Sequence, residues 1–108
     1  MADRRLPVIW SETTSVALDE VVAYIAQNSP QAAISLLERA LRGAANLLTL
    51  SERGRIVPEM NDPAVREVFV GRYRLLYRIE VAQVVVLTFL HGARDFARWH
   101  ASQLDSGF

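Results

Sequence analysis

The chain contains no cysteine, which excludes a disulfide framework and thiolate chemistry. Lysine is absent too: all twelve basic residues are arginine, a cation that keeps its proton in a protein and cannot act as a general base. No apolar run approaches the ~18 residues a membrane span needs; the longest, Val84 to Leu90, has the length of a strand. The N-terminus reads Met-Ala-Asp-Arg-Arg and then meets Pro7 with no apolar stretch behind the arginines, so no signal peptide is expected. The cytoplasm is the expected compartment, and no membrane association is expected. There is no phosphate-binding glycine loop, no His/Cys cluster at metal-ligand spacing and no Ser/His/Asp arrangement. His91 and His100 stand nine apart without a companion ligand, and neither cofactor nor metal is expected. Repeats, low-complexity tracts and domain linkers are also absent, so residues 1–108 are expected to form one domain.

What is present suits a globular core. Hydrophobic residues make up 51% and charged residues 22%, which argues against disorder. The twelve acids balance the twelve arginines, so there is no general pull toward nucleic acid. The balance is uneven along the chain: residues 1–50 carry four arginines and five acids, residues 51–108 eight and seven, plus both histidines.

The pattern predicts an α+β order, βααβββ with a possible short helical tail. Leu6 to Trp10 reads as a short strand, with Pro7 suited to an edge. Ser11 offers an N-cap and Glu12 an acid in the first turn of a helix over roughly 12–27, in which Leu18, Val21, Val22 and Ile25 recur at helical spacing. Ser29 and Pro30 start a second helix, where Ala33, Leu36, Leu37, Ala40, Leu41, Ala44, Leu47 and Leu48 form a wide apolar stripe. The short connection makes the two an antiparallel hairpin. Residues 55–63 read as loop. Three strands follow over 65–70, 73–79 and 83–89. In the middle one Tyr73, Leu75, Tyr77 and Ile79 share one face, and Arg74, Leu76 and Arg78 the other. A last helix is expected over Asp95 to Gln103.

The residues that could carry chemistry are Arg55, Glu59, Arg66, Arg72, Arg74, Arg78, His91 and Arg94. Brought together by a meander, arginines with one histidine and one glutamate could bind phosphate and transfer protons on RNA. The plainer reading pairs these arginines with Glu67, Glu80 or Asp95 and leaves His91 satisfied at a strand end.

An ordered set of segments carries a resemblance over residues 8–96: Val8-Ile9-Trp10-Ser11, Tyr24-Ile25-Ala26, Asn28-Ser29-Pro30, Gly54-Arg55-Ile56-Val57-Pro58-Glu59, Arg66-Glu67, Tyr73 to Ile79, and His91-Gly92-Ala93-Arg94-Asp95. Together they resemble the RelE/ParE superfamily of bacterial toxins. The resemblance implies a helical hairpin packed on a small antiparallel sheet. It also implies a toxin of a type II toxin–antitoxin pair, held inactive in a hetero-oligomer with an antitoxin that wraps hairpin and sheet. ParE-like members poison DNA gyrase without known catalytic residues; RelE-like members cut mRNA on the ribosome. The paired helices, Pro58-Glu59 and the 91–95 segment are similar to the ParE side. In the nuclease alternative Glu59, Arg74 and His91 match catalytic positions, but the lysines of other RelE-like members are absent and Gly92 replaces the aromatic that often follows the histidine. In either case Arg55, Arg66, Arg78 and Arg94 are the expected partner-binding residues. An inactive interaction module is the third alternative.

Overall fold

The computed structural model describes residues 5–106, apart from the side chains of Ala93, Arg94 and residues 104–106. Strand β1 (Val8–Trp10) leads into α1 (Glu12–Ala26) and α2 (Pro30–Ala45), which runs on into a 3-10 turn at Asn46–Leu48. Then come β2 (Arg55–Ile56), β3 (Val65–Val70), β4 (Tyr73–Ile79), β5 (Val84–Leu90) and α3 (Gly92–Ser106).

Both hairpin helices start where their caps are. The Ser11 hydroxyl accepts from the Thr14 amide, and the Ser29 hydroxyl from the Ala32 amide at 3.1 Å each, which satisfies donors that have no partner within the helix. Thr14 is buried, and its hydroxyl donates to the Val86 carbonyl at 3.0 Å, tying the first turn of α1 to the sheet. The small side chains Ala33, Ala40 and Ala44 are buried along α2, so its axis lies close to the sheet.

The strand order is β1-β5-β4-β3-β2. Strands β3, β4 and β5 form the expected meander. Two short edge strands extend it: β1 pairs parallel with β5, and β2 antiparallel with β3. The second corrects the loop expected at Arg55-Ile56. A two-residue strand has no periodicity to read; it forms because Arg55 lies opposite Glu67 and bonds to it.

The sheet is covered on both faces. The hairpin packs on one, over Val68, Val70, Leu75, Tyr77, Val84, Val86 and Phe89. Helix α3 packs Phe96 and Trp99 on the other, over Leu76, Leu90, Val57 and Val65. A bulge makes this possible in β5. Leu76 pairs with Thr88 but Tyr77 with Val86, so Leu87 has no direct partner. The extra residue reverses the alternation, sending Phe89 to the hairpin side and Leu90 to the α3 side. Helix α3 begins earlier and ends later than the expected Asp95 to Gln103. Its start is fixed by the Asp95 carboxylate, which accepts from the His91 amide at 3.2 Å.

Tyr77 is fully buried, and its hydroxyl closes the crossing from the hairpin to the sheet. It donates to the Ser51 carbonyl at 2.7 Å and accepts from the Gly54 amide at 2.9 Å. Burial raises its pKa above the ordinary value of 10.0, so it remains a donor. A Cβ on Gly54 would stand 2.5 Å from both this hydroxyl and the Glu67 carbonyl, which explains the glycine. Tyr77→Phe should therefore cost about 1–3 kcal/mol by leaving a buried amide and carbonyl unpaired, and Gly54→Ala should cost at least as much. Urea unfolding midpoints check both; an unchanged midpoint for either variant would refute the account.

Candidate functional site

Glu67 on β3 is the one carboxylate of the described residues that is completely buried, with no exposed side-chain surface. The strand register brings it two cations. Arg55 lies directly opposite on β2, with Nε 2.5 Å from Oε2. Arg74 lies diagonally on β4, where it pairs with Phe69, with Nε 2.6 Å from Oε1. The rest of the Arg74 guanidinium faces Glu59 in the loop after β2. Nη1 and Nη2 donate to the two carboxylate oxygens at 3.0 and 2.9 Å, a bidentate fork. Phe96 of α3 lies over this guanidinium, its ring centroid 5.3 Å away, and Phe69 lies 5.2 Å from the Arg55 guanidinium.

The electrostatics follow the contacts. Hydrogen bonding to Arg74 holds the Glu59 carboxyl below its ordinary value of 4.5, and Glu59 in turn raises Arg74. A general base works best near the operating pH; Glu59 is shifted away from it. A phosphate reaching Arg74 would have to displace a bidentate carboxylate in a largely buried setting.

His91 lies elsewhere. Its ring packs on Tyr73, centroids 4.9 Å apart, and Tyr73 stacks on Phe89 within the hairpin-side core. Arg74 points to the α3 side, against Phe96. Of Glu59, Arg74 and His91, the fold joins the first two and turns the third away. The His91 ring lines a groove of about 500 Å³ with Tyr24, Tyr73 and Trp99, between α1 and α3.

The other arginines are held separately. Arg66 donates to the carbonyls of Pro63, Glu52 and Gly54, and Arg78 pairs with Asp62 at 3.5 Å. Arg94 falls outside the described side chains. The plainer sequence reading named Glu67 as a partner for these arginines, and Arg55 and Arg74 do pair with it; what it missed is that Glu67 is buried and organises the cluster, for which the usable signal was a charged residue between Val65 and Val68 on a strand whose neighbours carry arginines. Among the described residues no group of His, Asp or Glu is arranged to hold a metal ion, and no helix is long and apolar enough to cross a membrane.

The sequence profile described as "ParE toxin of type II toxin-antitoxin system, parDE" matches residues 8–96, most of the chain. The chain belongs to the ParE toxin family. It is thereby a toxin of a type II toxin–antitoxin system, within the RelE/ParE superfamily. A search of curated proteins gave no match. Among solved structures, this ParE-family chain resembles one of the chromosomal ParDE TA system from P. aeruginosa, at TM-score 0.67 and 15% identity over 82% of this chain and 98% of that one. It also resembles a chain of the toxin-antitoxin complex RelBE2 from Mycobacterium tuberculosis, at TM-score 0.53 and 23% identity over 82% and 99%. At these identities the likeness is one of fold.

Two predictions follow from the cluster. Arg74→Met leaves Glu67 buried with one cation instead of two, and should cost about 3–5 kcal/mol in urea unfolding; Arg74→Lys should recover only part, because an ammonium cannot form the fork. Glu59 has a depressed pKa, so its stabilisation is complete above the ordinary carboxylate value and is lost as pH falls through the folded value. Glu59→Gln should be less stable than the parent at pH 7, with the gap closing as pH drops below 4.5. A gap that is constant from pH 7 to 3 would contradict the assigned role.

Proposed function

We propose that this toxin acts by poisoning DNA gyrase, without an active site of its own, and is neutralised by a cognate antitoxin. The observation that supports this reading is the state of Arg74. It is the residue a ribosome-dependent nuclease would use on phosphate, yet its Nε, Nη1 and Nη2 donate to Glu67 and Glu59 while His91 lies across the sheet.

The antitoxin is proposed to cover the hairpin. Ile34, Leu41 and Leu48 recur every seven residues and are exposed, as are Val16 and Tyr24 on α1. Such a stripe suits an amphipathic partner segment. Arg55 and Arg78, each partly exposed at the sheet, are proposed as flanking antitoxin contacts, with Arg66 and Arg94.

The test is direct. Added to purified gyrase with supercoiled plasmid, the chain should inhibit supercoiling and accumulate cleaved DNA, and antitoxin should reverse both. A cell-free translation reaction should continue unaffected. Translation that stops while gyrase works normally would replace this reading with the mRNA-cutting one; no effect on either would leave an inert binding module.

A further inference from the structure

The groove of about 500 Å³ between α1 and α3 has the volume of a ligand site and takes no part in the Glu67 cluster. Tyr24 of α1, Tyr73 of β4 and Trp99 of α3 line it from three elements. Tyr24 is 68% exposed, so packing does not account for its ring. Glu20 lines the groove one turn before Tyr24, and Asp95 lines it one turn before Trp99. Among the described residues neither carboxylate has a cation paired to it, in contrast to Glu59, Asp62 and Glu67. Arg98 lines the same groove, but it is exposed and forms an ion pair with neither acid. The α1 wall is of one sign. Residues 6–38 hold the acids Glu12, Asp19, Glu20 and Glu38 and no basic residue, and all four acids are exposed.

These features select the charge of an occupant. Aromatic faces are negative and attract cations, and two unpaired carboxylates reinforce that attraction. A long basic side chain also has an apolar stem that can lie along the rings while its head meets the acids. An apolar occupant would instead strip water from Glu20 and Asp95 and give them no partner in return. An acidic occupant would add a third negative charge to the two already there. We infer that the α1–α3 groove seats an arginine or lysine side chain of a protein partner, its stem against Tyr24 and Trp99 and its charge met by Glu20 and Asp95. This is separate from the proposed target: it concerns the chemistry of one contact, and holds whether the toxin stops gyrase or translation.

The experiment titrates the isotope-labelled full chain with three end-capped peptides, Gly-Arg-Arg-Gly, Gly-Gln-Gln-Gly and Gly-Glu-Glu-Gly. The NMR signal of the Trp99 indole N–H reports on the groove, and that of Trp10, packed on the hairpin-side core, serves as the internal control. The arginine peptide should move the Trp99 signal and leave Trp10 in place, and should bind about fivefold tighter than the glutamine peptide. Glu20→Gln and Tyr24→Ala should each weaken it about threefold. Arg98→Gln should tighten it, because the variant removes a like charge from the groove. Glu38→Gln, on α2 outside the groove, should change nothing, and thermal melts confirm that each variant is folded. A glutamine or glutamate peptide that binds as tightly as the arginine peptide overturns the inference, the first by making the groove indifferent to charge and the second by making it a site for acids. So does a loss of affinity in Arg98→Gln, or an affinity that Glu20→Gln leaves unchanged. A Trp99 signal that stays still at about 10 mM arginine peptide, well above the ~1 mM Kd of a single side-chain anchor, does the same.

Discussion

A carboxylate removed from water loses several kcal/mol of hydration unless charged or hydrogen-bonding partners replace it. Glu67 is completely buried, so everything near it has to supply that replacement. Arg55 and Arg74 do, one to each oxygen. Each then constrains a further segment. Arg55 holds the two residues of β2 against β3. Arg74, with charge to spare, draws the loop after β2 inward through Glu59, and Phe96 anchors α3 over the resulting guanidinium. The α3 side of the sheet is thus organised around one acid, while the hairpin side is organised by apolar packing.

This division has a functional consequence. A catalytic arginine must have donors free for the charge that develops in the transition state. Arg74 has its donors directed at two carboxylates, and the four charges of Arg55, Glu67, Arg74 and Glu59 sum to zero. Structural pairing on one face and His91 on the other, against Tyr73, support the proposed reading in which the toxin works by surface recognition. The exposed apolar residues of the hairpin fit the same description.

Much of this was legible before any coordinates. The caps at Ser11 and Ser29, the α2 stripe and the alternation of β4 are local signals, and local signals survive folding. The family resemblance spanned the same residues, 8–96, as the profile. What was not legible depends on register. Strand β2 is too short to have a pattern, the β5 bulge changes the face of Phe89 and Leu90 through a single unpaired residue, and the start of α3 relies on a side chain that reaches back to His91. The candidate site failed to read for the same reason. Glu59, Arg74 and His91 are ordered correctly along the chain, but only pairing shows that Arg74, on β4, and His91, just past the end of β5, point to opposite faces.

The charge balance is the last property that register transforms. Counted along the sequence, twelve arginines and twelve acids cancel. In space they do not, because burial decides which charges are neutralised. Glu67 and Glu59 claim Arg55 and Arg74, Asp62 claims Arg78, and backbone carbonyls hold Arg66. The arginines beyond reach of these acids, Arg39, Arg42 and Arg53, gather on the opposite edge of α2 and β3. Physiological salt screens exposed charges beyond about 8 Å, so a partner close to the surface senses such local excess rather than the net charge of the chain. A neutral chain can therefore present a basic patch where several arginines gather without a carboxylate paired to them.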